Sequence, residues 1–197
     1  VLVPIANPST AGTLLHLAGA LARRQEGEVL ALQVVVVPDQ VPLEEGRHRA
    51  AASRVLLERA LAQAQEEDFA LQTKTRVARS VAQGILDTAQ EEKVDLILLG
   101  WRGYTRSMGA SMGPIIDTVI QNAPCDVTVA KGREWESVDR ILVPTAGGPN
   151  APIAARLAWL ISEVYGAQVT ALNVQLGRAT HERMEENQRR IAQTLSG

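Results

Sequence analysis

The sequence predicts an α/β fold: an open, parallel, five-stranded sheet with helices on both faces, followed by a partial second repeat. Three observations carry this. Short apolar runs alternate with helix-period segments as β-α-β-α-β-α-β-α-β over the first 131 residues, and such alternation implies parallel strands joined by helical crossovers. The runs Glu28–Val37 and Val94–Leu99 are almost continuously apolar, as strands covered on both faces are. The chain then begins again, since Arg140-Ile141-Leu142-Val143-Pro144 matches Val1-Leu2-Val3-Pro4 at an offset of 140.

Val1–Ile5 reads as the first strand and Asn7-Pro8-Ser9 as a turn. Ser9 or Thr10 is expected to cap a helix running to about Arg24, with Leu14, Leu17, Ala18 and Leu21 on its apolar face. Glu26-Gly27 ends it, and Glu28–Val37 is the second strand. After the loop Pro38–Pro42, Glu44–Glu67 reads as a long helix with Val55, Leu56, Ala60 and Leu61 on one side. Leu71–Val77 is the third strand, and its alternate Lys74 and Arg76 suggest a wetter face. Ser80-x-x-Gln83 is a capping box that opens a helix to Glu92. Val94–Leu99 is the fourth strand, Ile115–Ala123 the next helix, stopped by Pro124, and Asp126–Ala130 a short fifth strand.

Residues 132–139 read as a charged linker and 140–197 as the front half of a second copy. In the same register Leu17-Ala18 meets Leu157-Ala158. Val29, Ala31, Leu32 and Val34 likewise meet Val169, Ala171, Leu172 and Val174. Matches in one phase across strands and helix mark an internal repeat. The second copy supplies a strand, a helix, a strand and a polar helix near Thr180–Leu195, but no glycine loop.

Composition narrows the function classes. A net charge of −2 argues against a nucleic-acid partner, which would need a basic face. The single cysteine, Cys125, allows no internal disulfide and suits a reducing compartment. No apolar run reaches the roughly 18 residues of a membrane-spanning helix. The chain starts at Val1, without Met and inside a strand-like run, which reads as the cut edge of a longer protein.

The stretch Gly100–Pro114, GWRGYTRSMGASMGP, lies between the fourth strand and its following helix. A strand that feeds a glycine-rich loop and then a helix brings backbone N–H groups to a phosphate. The glycines fall as G-x2-G-x9-G at Gly100, Gly103 and Gly113, which is neither the P-loop nor the dinucleotide spacing. The competing reading is a turn-rich surface loop with no ligand. In parallel sheets ligands sit at the carboxyl ends of the strands near a switch in strand order, and this loop leaves a strand at that end.

With loop, strand order and repeat together, the chain resembles the universal stress protein family, over Val1–Lys131 as a whole domain and Arg140–Leu195 as the front of a second. The G-x2-G-x9-G motif and the following Asn122-Ala123-Pro124-Cys125-Asp126-Val127-Thr128-Val129 carry the likeness. The resemblance implies an adenine nucleotide alpha hydrolase-like, Rossmann-like fold. It also implies ATP or another adenine nucleotide as ligand, with Mg as a companion ion. In ATP-binding members the glycine loop cradles the phosphates, an Asp after the first strand holds the adenosine, and backbone near the end of the second strand contacts the base. Carried over, these positions are Gly100, Arg102, Gly103, Gly113, Pro114 and Ile115 in the loop and helix start, Ala6 and Asn7 after the first strand, and Val34 on the second. This sequence departs at two of them. Ala6 stands where the Asp would be, and Pro114 where a Ser or Thr would give its hydroxyl. Pro114 suits the first helical position, where its missing N–H is not needed, and Asn7 is a partial substitute for the Asp. The Gly-Trp-Arg-Gly form of the loop is similar to universal stress modules fused, often in tandem, to the cytoplasmic end of amino acid permeases or cation/proton antiporters. That implies a transmembrane transporter domain in cis, at the inner face of the membrane.

Other residues carry bland readings. Arg102 and Arg106 are phosphate partners or solvated loop charges. Trp101 and Tyr104 either stack on a base or pack the loop, packing being the expectation for Trp101. His16, His48 and His181 lack metal-ligand spacing. Cys125 reads as structural, since its neighbour Asp126 opposes a thiolate. Asp117, in the first turn of a helix, favours the macrodipole. Asp39 and Glu44, after the second strand, are candidates to hold a metal with phosphate. No catalytic constellation stands out, so the expectation is a regulatory nucleotide-binding module and not an enzyme. The alternative is a degenerate module that binds no nucleotide and serves dimerisation or docking. A homodimer paired through Val127–Ala130 is expected.

Overall fold

The computed structural model describes residues 1–46, 54–101, 103, 111–132, 137–174 and 181–195. They form two compact units, Val1–Glu134 and Trp135–Gly197. The division falls within the stretch read as a linker.

In the first unit the strands are β1 (Leu2–Pro4), β2 (Val29–Val36), β3 (Leu71–Ala78), β4 (Leu96–Gly100) and β5 (Asp126–Ala130). All pairings are parallel, in the order β3-β2-β1-β4-β5. The chain therefore winds outward from β1 to β3, crosses back, and continues through β4 to β5. The switch in direction lies between β1 and β4.

The first helix, α1 (Pro8–Arg23), is capped by Asn7 and not by Ser9 or Thr10. The Asn7 carboxamide oxygen accepts from Ser9 N at 3.0 Å and from the Ser9 hydroxyl at 2.9 Å. With Pro8 next, whose ring fixes a helical φ, the cap lies two or three residues earlier than the hydroxyl residues suggest. The second helix, α2 (Arg54–Glu66), is the later part of the long helix expected from Glu44; Leu43–Glu45 forms a 3-10 turn, and residues 47–53 lie outside the described residues.

The third helix, α3 (Val81–Glu91), starts on Ser80, whose hydroxyl accepts from Gln83 N at 3.1 Å. The reciprocal half of the capping box is not made, because the Gln83 amide donates to Asp87 instead, at 2.6 Å. Thr88 is the buried polar residue of the core, and its hydroxyl donates to Gly84 O at 2.7 Å. The fourth helix, α4 (Pro114–Asn122), begins on Pro114.

One core cluster joins Leu2, Leu32, Ile97 and Leu99 from the sheet to Ala82, Ile85 and Ala89 of α3 and Val119 of α4. At the edge strand β3, Lys74 and Arg76 stay half-exposed by pairing with α3. Lys74 meets Glu92 at 2.5 Å, and Arg76 meets Glu91 at 2.6 Å and Asp87 at 3.2 Å.

The second unit holds β6 (Arg140–Pro144) and β7 (Gln168–Leu172) as a parallel pair, with α5 (Ala151–Tyr165) between them and α6 (His181–Leu195) after. Gly166, at φ 69°, closes α5 in the left-handed region that glycine favours. No helix among the described residues is long and apolar enough to cross a membrane.

Candidate functional site

A cavity of about 400 Å³ opens at the carboxyl ends of β1 and β4, the place where a doubly wound sheet leaves a crevice. Its walls are apolar: Leu14 from α1, Val81 and Ile85 from α3, Leu99 from β4 and Ile116 from α4. Asn7, Thr10, Trp101 and Gly113 add polar groups and backbone. None of its described lining side chains is charged.

Of the residues singled out in the sequence, Ala6, Asn7, Gly100, Gly113, Pro114 and Ile115 all line this cavity. They come from two turns about a hundred residues apart, brought together because β1 and β4 are neighbours. Val34 does not line it. Its side chain packs against α3, with Cγ1 2.7 Å from where a Cβ on Gly84 would stand. Gly103 lies outside the lining too, beneath the Lys131 side chain. Arg102, Tyr104 and Arg106 fall outside the described residues.

Gly100 and Gly113 are glycine for different reasons. Gly100 is the last residue of β4, and a Cβ there would stand 2.9 Å from Leu14 Cδ1, so a side chain at this position would push the Leu14 side chain of α1 aside. Gly113 has φ 117° and ψ 154°, a conformation open in practice to glycine alone. It turns the chain into α4, where the ladder begins with Asp117 N donating to Gly113 O at 2.9 Å. The N–H groups of Ile115 and Ile116, both at the cavity, precede that first bond and have no acceptor within the helix. They are the donors that an anion at this helix end would use. Pro114 removes one donor and keeps these two.

Asp117 does more than favour the dipole. Its carboxylate accepts from Ser111 N at 2.7 Å and Met112 N at 3.0 Å, and so ties the end of the loop to the helix. An acid in the first turn is equally expected for the dipole alone, so the sequence does not distinguish the two roles. Asn7 is also committed: its oxygen accepts from the Ser9 N–H and hydroxyl, so it does not stand in for a free carboxylate. The wall from α3 was missed in the sequence, because Val81 and Ile85 look like any apolar helix face.

The remaining candidates have structural roles. His16 meets Glu67 at 2.6 Å between α1 and the end of α2. Asp39 faces Arg79 at 3.9 Å, and Arg79 also donates to the carbonyls of Pro38 and Val41, tying the loop after β2. No group of three acidic, His or Cys side chains stands at metal-binding distance among the described residues. Burial pushes the Cys125 thiol up, with Asp126 adding to the effect, so the reactive thiolate is disfavoured.

Comparison with known proteins gives a consistent outcome. The model of the universal stress protein family matches residues 1–131. The Na(+)/H(+) antiporter NhaS5 of Synechocystis sp. (strain ATCC 27184 / PCC 6803 / Kazusa) is 32% identical over 177 residues, 88% of this chain and 25% of the antiporter. The chain thus spans a quarter of that relative's length. Among solved structures, protein PA1789 of Pseudomonas aeruginosa PAO1 aligns with a TM-score of 0.61 at 20% identity, over 98% of this chain and 66% of that one. The universal stress protein of Archaeoglobus fulgidus in complex with dAMP aligns with a TM-score of 0.51 at 18% identity, over 65% of this chain and 94% of that one. At these identities the structural likeness is one of fold.

Proposed function

The chain belongs to the universal stress protein family, and on that premise we propose that its first unit binds an adenine nucleotide in the cavity at the ends of β1 and β4. The observation that carries the proposal is the coincidence there of an apolar pocket, a left-open glycine turn at Gly113 and two free helix-end donors. The flat base takes the apolar part, and the phosphate takes the N–H groups of Ile115 and Ile116. The dAMP complex of a protein with this fold supports the choice of ligand. No side chain is assigned to turnover; the module senses a ligand by binding it. Mg enters with the phosphates, as a companion of the nucleotide.

The antiporter relative supports a role as the cytoplasmic regulatory part of a cation transporter, whose membrane domain lies elsewhere in the full protein. Two copies pair through the β5 edge, Val127–Ala130, and ligand binding acts by biasing the packing of modules. The second reading, a docking module that has lost its ligand, draws on Ala6 and on the committed oxygen of Asn7.

Titration calorimetry of this chain with AMP, ADP, ATP and cyclic AMP decides between them. Saturable heat with at least one adenine nucleotide, and none with a pyrimidine nucleotide, is the expected result. No heat with any adenine nucleotide leaves the docking reading in its place.

A further inference from the structure

Lys131 follows β5 directly, next to the start of the glycine loop, because Gly100 pairs with Ala130 and Trp101 N donates to Ala130 O at 2.8 Å. Its ammonium lies 5.4 Å from the centroid of the Trp101 ring, within the range of a cation–π contact. The end of the same side chain covers Gly103. A Cβ at Gly103 would stand 2.5 Å from Lys131 Cε and 2.8 Å from Nζ, and Gly103 has φ 86°. Glycine here therefore makes room for the lysine as well as for the turn. Among the described residues no carboxylate pairs with this ammonium, and a ring face is its partner. A lysine held over a ring face can leave it for an anion without breaking an ion pair to any described acid.

A second group at the same place lacks a partner. The Trp101 indole N–H is buried and donates to nothing, although Trp101 lines the cavity. A buried donor without an acceptor costs free energy that a ligand acceptor can return. The end of β5 and the start of the loop thus bring together a cation and a donor that have no acidic partner among the described residues. Both demands are met by an anionic oxygen.

We propose that Lys131 and the Trp101 indole N–H form an anion subsite, in which Lys131 leaves the Trp101 ring to pair with the phosphate of the bound nucleotide. This rests on the nucleotide reading for the ligand's identity, but the subsite itself requires only an anionic oxyanion such as phosphate. The helix end of α4 then holds the phosphate from one side and Lys131 from the other. Lysine suits a contact that must form on binding, since its flexible stem and point charge impose no fixed fork geometry.

The test compares AMP with adenosine, and adds inorganic pyrophosphate as an anion without a base. In the wild-type chain the proposal expects AMP to bind more tightly than adenosine, and pyrophosphate to shift the Trp101 indole ¹⁵N–¹H resonance, assigned by its loss in Trp101→Phe. Lys131→Met should lower the AMP-to-adenosine affinity ratio about tenfold, the scale of one charge-assisted hydrogen bond. Lys131→Arg should restore most of that ratio. A ratio unchanged in Lys131→Met, or lost equally in Lys131→Arg, overturns the subsite while AMP binding itself upholds the nucleotide reading. A pyrophosphate shift without binding of any adenine compound upholds the subsite and overturns the choice of base. No response to either probe overturns both.

Discussion

Asp117→Ala tests whether the loop must be tied to α4 for the site to exist. The carboxylate accepts from Ser111 N at 2.7 Å and from Met112 N at 3.0 Å. Ser111 is exposed, so its released N–H returns to water at little cost. Met112 is half-buried and lines the cavity, so its N–H is only partly rehydrated. One weak and one ordinary hydrogen bond, with a first-turn acid lost beside them, sum to about 1–2 kcal/mol. Urea unfolding of the chain should show that loss of stability without a change in slope. Ligand affinity should fall further than stability does, because Gly113 and the N–H groups of Ile115 and Ile116 are placed by the limb that Asp117 holds. Asp117→Asn keeps one acceptor oxygen and should fall between the two. If Asp117→Ala binds AMP as tightly as the wild type, the loop is positioned by other contacts and the reasoning fails.

Two other outcomes follow from the geometry. Gly113→Ala forces a side chain into φ 117° and ψ 154°; denaturant unfolding should show a loss of about 1–3 kcal/mol, and a loss under about 0.5 kcal/mol would mean that the turn relaxes freely. At the edge of the sheet, the hydrogen bond from Arg76 holds the Glu91 carboxyl below its ordinary value of 4.5. A depressed folded pKa stabilises above the unfolded value and is lost as pH falls through the folded one. The urea midpoint gap between wild type and Glu91→Gln should therefore be open at pH 7 and close as pH drops below about 4; a gap independent of pH would dissociate Glu91 from the Arg76 pair.

Much of the fold was legible because the signals were local. The alternation of apolar runs with helix-period segments predicted the five parallel strands, and the Gly100–Pro114 stretch marked the end where the cavity lies. The cap of α1 was misplaced by two or three residues because Ser9 and Thr10 look like caps and Asn7 looks like a turn. Only the Pro8 ring settles which residue is last outside the helix. The site was legible in one dimension alone. Ala6, Gly100 and Gly113 could be found by their place after strands and before a helix. Val34 was singled out for its backbone, and the fold shows only that its side chain packs toward Gly84 of α3. Lys131 looked like no more than the last residue of the first domain, and only the β4–β5 register brings it over Trp101.

The repeat exposes what the second half of the first unit does for the fold. Leu2 and Leu32 are fully buried, and their counterparts at the offset of 140, Leu142 and Leu172, are 58% and 41% exposed. The residues are the same; their cover is not. In the first unit Leu2 and Leu32 pack under Ile85 and Val119, with Ile97 and Leu99 beside them, all supplied by α3, β4 and α4. Among the described residues the second unit shows β6, α5, β7 and α6. At about 25 cal/mol for each Å² of apolar surface removed from water, that cover is a large part of what makes the first sheet a closed core. The same three elements also build the cavity, since Ile85, Leu99, Gly113 and Ile116 all belong to them or to the turn between. Core closure and the candidate site are therefore one structural event: the crossover that buries Leu2 and Leu32 is the crossover that brings the glycine turn to the end of β1.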